Sequence, residues 1–217
     1  MKLEDATKIA DEIVRICVPA CQREQGDPSA ACVVGGGIRR GKPDIHDIEI
    51  VAMPILKAPT PTFGSRVIHK TYLDAAIWQM VEGGMLKGKI KDGPRMKQYD
   101  VNLEYFGLSQ TPEPFRVEFY LCIPPSQWGV LYTIRTGPNS MDNAFSKWMV
   151  TERRNGGALP NGYICKDNCI GKRVLAEYKE DERDGIIPMP KEEDFFEFCG
   201  LPWIEPSKRL AKWGSMR

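Results

Sequence analysis

Several features are scarce in this sequence, and each scarcity excludes a class of protein. The net charge is only +1, so binding to nucleic acid would depend on local basic patches rather than on an overall positive field. No apolar run is long enough to span a bilayer, and no signal peptide is recognisable. There is no internal repeat and no low-complexity segment. Hydrophobic residues make up 42% of the chain, which is enough for a packed core and excludes global disorder.

The seven cysteines do not form the framework of a small disulfide-rich domain. Two pairs, Cys17 with Cys21 and Cys165 with Cys169, are four positions apart. This spacing differs from the CxxC of zinc sites, and both histidines lie far from the pairs, which favours core or hairpin packing over metal binding. We therefore expect reduced cysteines and an intracellular protein, in the cytoplasm or the nucleoid.

A glycine-rich turn followed by two acids is the most informative pattern in the chain. Gly35-Gly36-Gly37-Ile38-Arg39-Arg40-Gly41-Lys42 precedes His46-Asp47-Ile48-Glu49. Residues 47 to 53 are predicted to form a strand, so Asp47 and Glu49 would share one face of it. A second predicted strand, 115 to 123, carries Glu118 among apolar residues. Three carboxylates that converge on a sheet are typical of divalent-metal sites for phosphoryl or nucleotidyl transfer, whereas an acid-x-acid strand alone indicates a solvated edge.

These motifs resemble those of the family X DNA polymerases, which belong to the nucleotidyltransferase superfamily. The superfamily pattern is a glycine pair, a short spacer and then acid-apolar-acid, and nine residues separate Gly37 from Asp47. Three further segments resemble family motifs, and they follow in the family's order along the chain. Arg116-Val117-Glu118 resembles the strand that carries the third acid, and Thr136-Gly137-Pro138 resembles the family's Thr-Gly-Ser turn. The C-terminal ending of the family resembles Gly200-Leu201-Pro202-Trp203 with Pro206 and Arg209. The resemblance covers nearly all of the chain.

The resemblance implies an α+β fold in two parts. Residues 1–124 would form a nucleotidyltransferase palm, a mixed β-sheet with helices on one face, and 125–217 a small α/β thumb-like subdomain, with the boundary at Pro124-Pro125. Too few residues precede Gly36 for the lyase and helix-hairpin-helix domains of larger relatives. We therefore expect a minimal form, similar to the small viral family X polymerase, and a virus-encoded protein would fit it.

The resemblance also implies an activity and its partners. The expected enzyme is a monomer without membrane association that binds primer-template or gapped DNA and a nucleoside triphosphate. It would add nucleotides to a primer 3′-hydroxyl with two Mg²⁺ ions, or Mn²⁺ in their place, in short-gap filling during DNA repair or replication. Two alternatives stay open: a template-independent transferase on DNA or RNA ends, and a non-catalytic module that binds DNA ends.

The expected site residues fall into three groups, with distinct chemistry. The catalytic and metal-binding residues are Asp47, Glu49 and Glu118, with Arg116 orienting the acids. The nucleotide-binding residues are Gly36, Gly37, Arg40, His46, Arg135, Thr136, Gly137 and Asn139, because glycines let backbone amides approach a triphosphate and arginine can fork onto phosphate oxygens. The DNA-binding residues are Lys89, Lys91, Arg95, Lys97, Lys147, Arg153 and Arg154; each basic cluster could also be a solvated face.

Two departures from the family pattern lead to further expectations. Glu49 and Glu118 stand where the family usually has aspartate, and the extra methylene alters the geometry of the metal site. Arg135 replaces an aromatic residue, which would change the discrimination between deoxy- and ribonucleotides. The family's turn contains a cis peptide after the glycine, and Pro138 follows Gly137 here, so we predict a cis Gly137–Pro138 bond.

Overall fold

The computed structural model describes residues 1–22, 32–57, 71–138, 145–173 and 183–209. The chain divides into two compact units, Met1–Cys122 and Ile123–Arg217; the sequence placed this boundary two residues later. Both units combine helices with strands, so the chain is α+β, as predicted. In the described part of the chain, no helix has the length and apolar character needed to cross a membrane.

The first unit is built around a mixed sheet. Its helices are α1 (Leu3–Cys17), α2 (Gly36–Arg39) and α3 (Tyr72–Glu82), and its strands are β1 (Cys32–Val34), β2 (Asp47–Ala52), β3 (Leu86–Asp92), β4 (Met96–Val101) and β5 (Arg116–Leu121), with 3-10 turns at Val18–Ala20 and Leu103–Phe106. The described strands lie in the order β1-β2-β5-β4-β3. The pairing of β2 with β5 is parallel, and the other pairings are antiparallel.

One face of this sheet is apolar and the other is polar. Along β2 and β5, buried residues such as Ile48 and Val117 alternate with half-buried acids, as expected when only one face of a strand faces the core. Helix α1 buries Ile9 and Ile13 at helical spacing and lies against β1 and β2. The polar face is therefore the one on which the predicted acids lie.

The second unit has its own core. It contains α4 (Trp128–Thr136), α5 (Phe145–Val150), α6 (Glu192–Phe198), the described three-stranded sheet of β6 (Tyr163–Lys166), β7 (Cys169–Arg173) and β8 (Arg183–Ile186), and 3-10 turns at Arg153–Asn155 and Pro206–Lys208. The aromatic rings of Phe145, Phe195 and Phe196 are fully buried at its centre. The sequence Lys166-Asp167-Asn168 between the two cysteines predicts a hairpin turn, and the antiparallel pairing of β6 with β7 and the positive φ of Asp167 and Asn168 confirm it.

The sequence also predicts elements outside the acid-bearing strands. The apolar spacing of residues 3 to 17 predicts a helix, and residues 86 to 103 predict two strands around Asp92-Gly93-Pro94; both predictions are confirmed. The helix that apolar spacing predicts around 66 to 82 is present from Tyr72 to Glu82, and 58–70 lie outside the described residues. The helix predicted over about 141 to 154 ends earlier, at Val150, because Glu152 is extended and pairs with Leu159.

Candidate active site

The register of β2 and β5 brings the predicted acids to one face of the sheet. Asp47 lies opposite Arg116, and Glu49 lies opposite Glu118, in a parallel pairing. Since alternate residues of a strand point to the same side, all four side chains leave the sheet on the same face. The backbones of Glu49 and Glu118 are neighbours at the ordinary strand spacing of about 4.8 Å.

The electrostatics of Asp47 also indicate a shared site. Burial raises the pKa of Asp47, and the neighbouring Glu118 carboxylate raises it further. His46, Arg40 and Lys42 lower the pKa of Asp47 but do not cancel these two effects. Asp47 and Glu118 are thus close enough for their charges to interact, and three basic residues lie close enough to Asp47 to oppose this effect.

Glu49 lies directly against the glycine turn. The N–H of Gly35 donates to the backbone carbonyl of Glu49 at 2.7 Å. A Cβ atom placed on Gly36 would lie 1.9 Å from Glu49 Oε2, and the φ of Gly36 is +58°. Position 36 therefore needs glycine both for its backbone conformation and for the carboxylate next to it.

The carboxylate of Glu118 is held by two side chains that the sequence reasoning missed. Gln98 Nε2 donates to Glu118 Oε1 at 2.6 Å, and the Tyr120 hydroxyl donates to Glu118 Oε2. Arg116, which we expected to orient the acids, instead donates through Nε to Asp100 Oδ1 at 3.4 Å. Tyr120 could have been found from the two-residue period of its strand, but Gln98 required the register of β4.

The three acids have the right chemistry for a divalent metal and share one face of the sheet, but their side chains do not form a closed ligand set. Carboxylate oxygens are the ligands that Mg²⁺ prefers. Nevertheless, among the residues that the structure describes, no three side chains of histidine, cysteine, aspartate or glutamate come together closely enough to hold an ion. Both oxygens of Glu118 already accept a hydrogen bond, and an ion would have to compete with those bonds.

Two lysines of β3 lie on the acid-bearing face. Register shifts around Gly88 and Ile90 pair Lys87 with Asp100 and Lys91 with Gln98, and β4 in turn pairs those two residues with Arg116 and Glu118 on β5. Lys89 pairs with Tyr99 on the opposite face. Because of these irregularities, Lys87 and Lys91 lie on the same face of the sheet as the acids, on the edge strand β3.

Lys97, predicted to bind DNA, has a structural role instead. The residue is only 8% exposed, and its ammonium pairs with Asp74 at 2.8 Å and with Asp92 at 2.5 Å. It joins α3 to the β3–β4 hairpin and is not available to a phosphate. Lys89 is exposed and pairs with Asp92 at 3.2 Å, and Arg95 is half-buried.

In the second unit, two of the predicted DNA contacts support the local fold. Arg153 Nη2 donates to the carbonyl of Cys199 at 2.5 Å, and its Nε donates to the carbonyl of Ala158. Arg154 pairs with the buried Glu152 at 2.9 Å. Arg153 is therefore engaged with the backbone of its own unit, whereas Lys147 is exposed.

The predicted nucleotide-binding residues of the second unit lie at the end of α4. Thr136 is fully buried, Arg135 is half-buried, and Gly137 has a φ of +65°. The Gly137–Pro138 bond is cis, which confirms the prediction, while Asn139 lies outside the described residues. In the first unit, Arg40 and Gly37 are half-buried and His46 is exposed.

Comparison with protein-family models and with curated protein sequences gives no relative from which a function could be taken. No protein-family model matches the chain, and no curated protein matches it in sequence. The resemblance to family X polymerases therefore stays a prediction from motifs.

Proposed function

We propose that this protein is a metal-dependent nucleotidyltransferase that adds nucleotides to the 3′-hydroxyl of a DNA primer. The observation that carries the proposal is the parallel register that sets Glu49 beside Glu118 and Asp47 on the same face. A glycine turn lies against Glu49, and lysines of β3 lie at the edge of the sheet on the same face. In this proposal the first unit is the palm and the second is the thumb-like subdomain.

Each group of residues has a defined task in this proposal. Asp47 and Glu49 would hold Mg²⁺ or Mn²⁺, with Glu118 as the third ligand. The bound metal supplies Lewis-acid chemistry that stabilises the charge developing on the phosphates and favours ionisation of the primer hydroxyl. Arg40 would bind the triphosphate through forked hydrogen bonds.

The lysines on the polar face would position the DNA. Lys87 and Lys91 extend from the strand at the edge of the described sheet, next to Asp100 and Gln98. Lysine contacts with phosphate oxygens fix the position of a strand and do not read its sequence. This agrees with an enzyme that extends primers of any sequence.

A second candidate function is a non-catalytic module that binds DNA ends. One observation favours it: both Glu118 oxygens accept hydrogen bonds from Gln98 and Tyr120, and the described acids do not form a ready metal site. The two functions differ in whether metal and nucleoside triphosphate support incorporation.

The test offers a labelled primer in single-stranded, nicked, gapped and recessed forms. Each deoxy- and ribonucleoside triphosphate is supplied in turn with Mg²⁺ or Mn²⁺, and extension is followed on a gel. We expect metal-dependent extension, and we expect Glu118→Gln to lower the rate by roughly a hundredfold or more, since loss of a metal ligand exceeds loss of an outer partner. Extension of gapped but not single-stranded primers would distinguish templated from template-independent transfer.

Glu104→Gln is the matched control, because it makes the same chemical change on an exposed 3-10 turn of the same unit. This control should extend primers at the wild-type rate. Near-native turnover of Glu118→Gln would refute the assignment of the acids. DNA binding without incorporation under any condition would favour the end-binding module.

A further inference from the structure

Both hydrogen bonds of Glu118 are made to residues other than the acids of β2. Strand β5 lies between β2 and β4, so Gln98 on β4 and the acids on β2 are on opposite sides of Glu118. Tyr120 is the next residue of β5 on the same face, whereas Asp47 is level with Arg116, the preceding one. Gln98 therefore lies on the side of Glu118 away from Glu49, and Tyr120 lies in the direction along the strand away from Asp47.

The length of glutamate makes this arrangement geometrically accessible. Same-face neighbours on a strand are about 6.6 Å apart along the chain, and the side chains of Glu118 and Tyr120 together close that gap. Tyr120 is only 9% exposed, so its surroundings restrict the ring. A glutamate that leans this far along its own strand is also long enough to turn across the strand spacing of about 4.8 Å toward β2.

We propose that Tyr120 and Gln98 are positioning residues that withhold Glu118 from the metal site until a metal ion displaces their hydrogen bonds. This inference rests on the proposed function, since it assigns Glu118 as a metal ligand. It explains why three acids that share one face do not form a ready metal site among the described residues. The apparent affinity for the ion is lowered by the fraction of molecules in which Glu118 is turned away.

Removing one of the two hydrogen bonds should therefore strengthen metal binding. A hydrogen bond to a charged carboxylate is stronger than one between neutral groups, and the ion has to compete with it. Tyr120→Phe removes the hydroxyl and keeps the ring. We expect Mn²⁺ to bind this variant about tenfold more tightly than the wild type, and Gln98→Leu to have an effect in the same direction.

The experiment measures the binding of Mn²⁺ to the full chain by electron paramagnetic resonance, without DNA or nucleotide. Tyr99→Phe is the matched control, because Tyr99 is a buried tyrosine on the opposite face of β4, and it should bind Mn²⁺ as the wild type does. Combining Tyr120→Phe with Glu118→Gln should abolish the increase in Mn²⁺ affinity, because that increase depends on coordination by Glu118.

A spectroscopic readout follows the hydrogen bond itself. The side-chain amide of Gln98 gives an NMR signal that should shift toward that of a free amide as Mg²⁺ saturates the wild type. In Glu118→Gln the same titration should leave this signal in place. A merely structural role for Gln98 would give no metal-dependent shift in either protein.

Each outcome decides the inference. Equal or weaker Mn²⁺ binding by both Tyr120→Phe and Gln98→Leu overturns it, and weaker binding would mean that these residues hold Glu118 toward the metal. If Tyr120→Phe does not fold, the half-buried Gln98 provides the variant that decides. Tighter Mn²⁺ binding without nucleotide incorporation would sink the proposed function and leave this inference standing, whereas absence of Mn²⁺ binding in every variant would end both.

Discussion

At the scale of single residues, Gly36 lies where a side chain would displace a candidate catalytic group. Its φ is +58°, and an added Cβ would meet the end of the Glu49 side chain. Gly36→Ala should lose about 1–2 kcal/mol of unfolding free energy through its positive φ. Because the flexible carboxylate has to move aside, Mn²⁺ affinity and primer extension should fall by about tenfold or more. Urea unfolding and Mn²⁺ titration measure the two effects.

Gly41→Ala separates the backbone strain of Gly36→Ala from its displacement of the Glu49 carboxylate. Gly41 has a similar φ of +70°, but nothing lies within 4 Å of an added Cβ. This variant should lose a similar amount of stability and keep its affinity for Mn²⁺. An equal loss of affinity in both variants would show that backbone strain, not displacement of Glu49, is the cause.

Arg209 is the residue whose loss should destabilise the second unit most clearly. Its guanidinium is buried, pairs with Glu192 at 2.8 Å and stacks on Phe145 and Phe196. Arg209→Met would leave the charge of Glu192 buried without its partner, at a cost of about 3–5 kcal/mol in unfolding free energy. Lys208→Met, which breaks an exposed pair with Glu205, should cost under about 1 kcal/mol. A small effect of Arg209→Met in denaturant unfolding would contradict this account.

At the scale of elements, the ion pairs of Lys97 connect α3 to the β3–β4 hairpin. Burial alone would raise the pKa of Asp74, but the hydrogen bond from Lys97 and those of Thr71 lower it overall. The hydrogen bond from Lys97 also lowers the pKa of Asp92. A lowered folded-state pKa means that this stabilisation is present above the ordinary aspartate range and is lost as the pH falls through the folded values.

Lys97→Met tests this connection through its pH dependence. At neutral pH the variant should be less stable by roughly 1–3 kcal/mol, less than for a fully buried pair because Asp74 and Asp92 are partly exposed. As the pH falls below the ordinary aspartate pKa of about 4 and then through the lowered folded pKa values, both aspartates become protonated and the difference should shrink. Thermal unfolding of the two proteins at intervals of roughly one pH unit, from about pH 8 to about pH 2, measures this difference in stability; a constant difference would contradict the ion-pair explanation.

At the scale of the whole molecule, the distribution of charge matters more than its sum. The net charge is +1, so the affinity for DNA should come from local lysines such as Lys87 and Lys91 on the polar face. Replacing both with alanine should reduce the slope of log affinity against log salt by about 2. Lys89→Ala, on the opposite face, should leave the slope unchanged. Fluorescence anisotropy of a labelled duplex at several salt concentrations measures the slope for each protein. Equal slopes for the wild type and the double variant of Lys87 and Lys91 would count against these contacts.

A structural feature can be predicted from the sequence when neighbouring residues determine it, and not when it depends on contacts between distant segments. The period of α1 and the alternation of Asp47 and Glu49 are local, and both are visible in the sequence. The burial of Lys97 depends on two aspartates from different elements, and no local pattern reveals it. The hydrogen bond from Gln98 to Glu118 likewise depends on the register of β4 against β5.

The parallel pairing of β2 with β5 has a consequence for how the protein reaches its native state. The two strands are separated in sequence by α3, β3 and β4, so their contact closes a long loop. Contacts between distant segments form slowly, because the chain entropy of closing the loop is lost before the contact stabilises anything. In refolding experiments the capacity to bind a cation should consequently return after helical circular dichroism, and chains interrupted before β5 should acquire no activity at all.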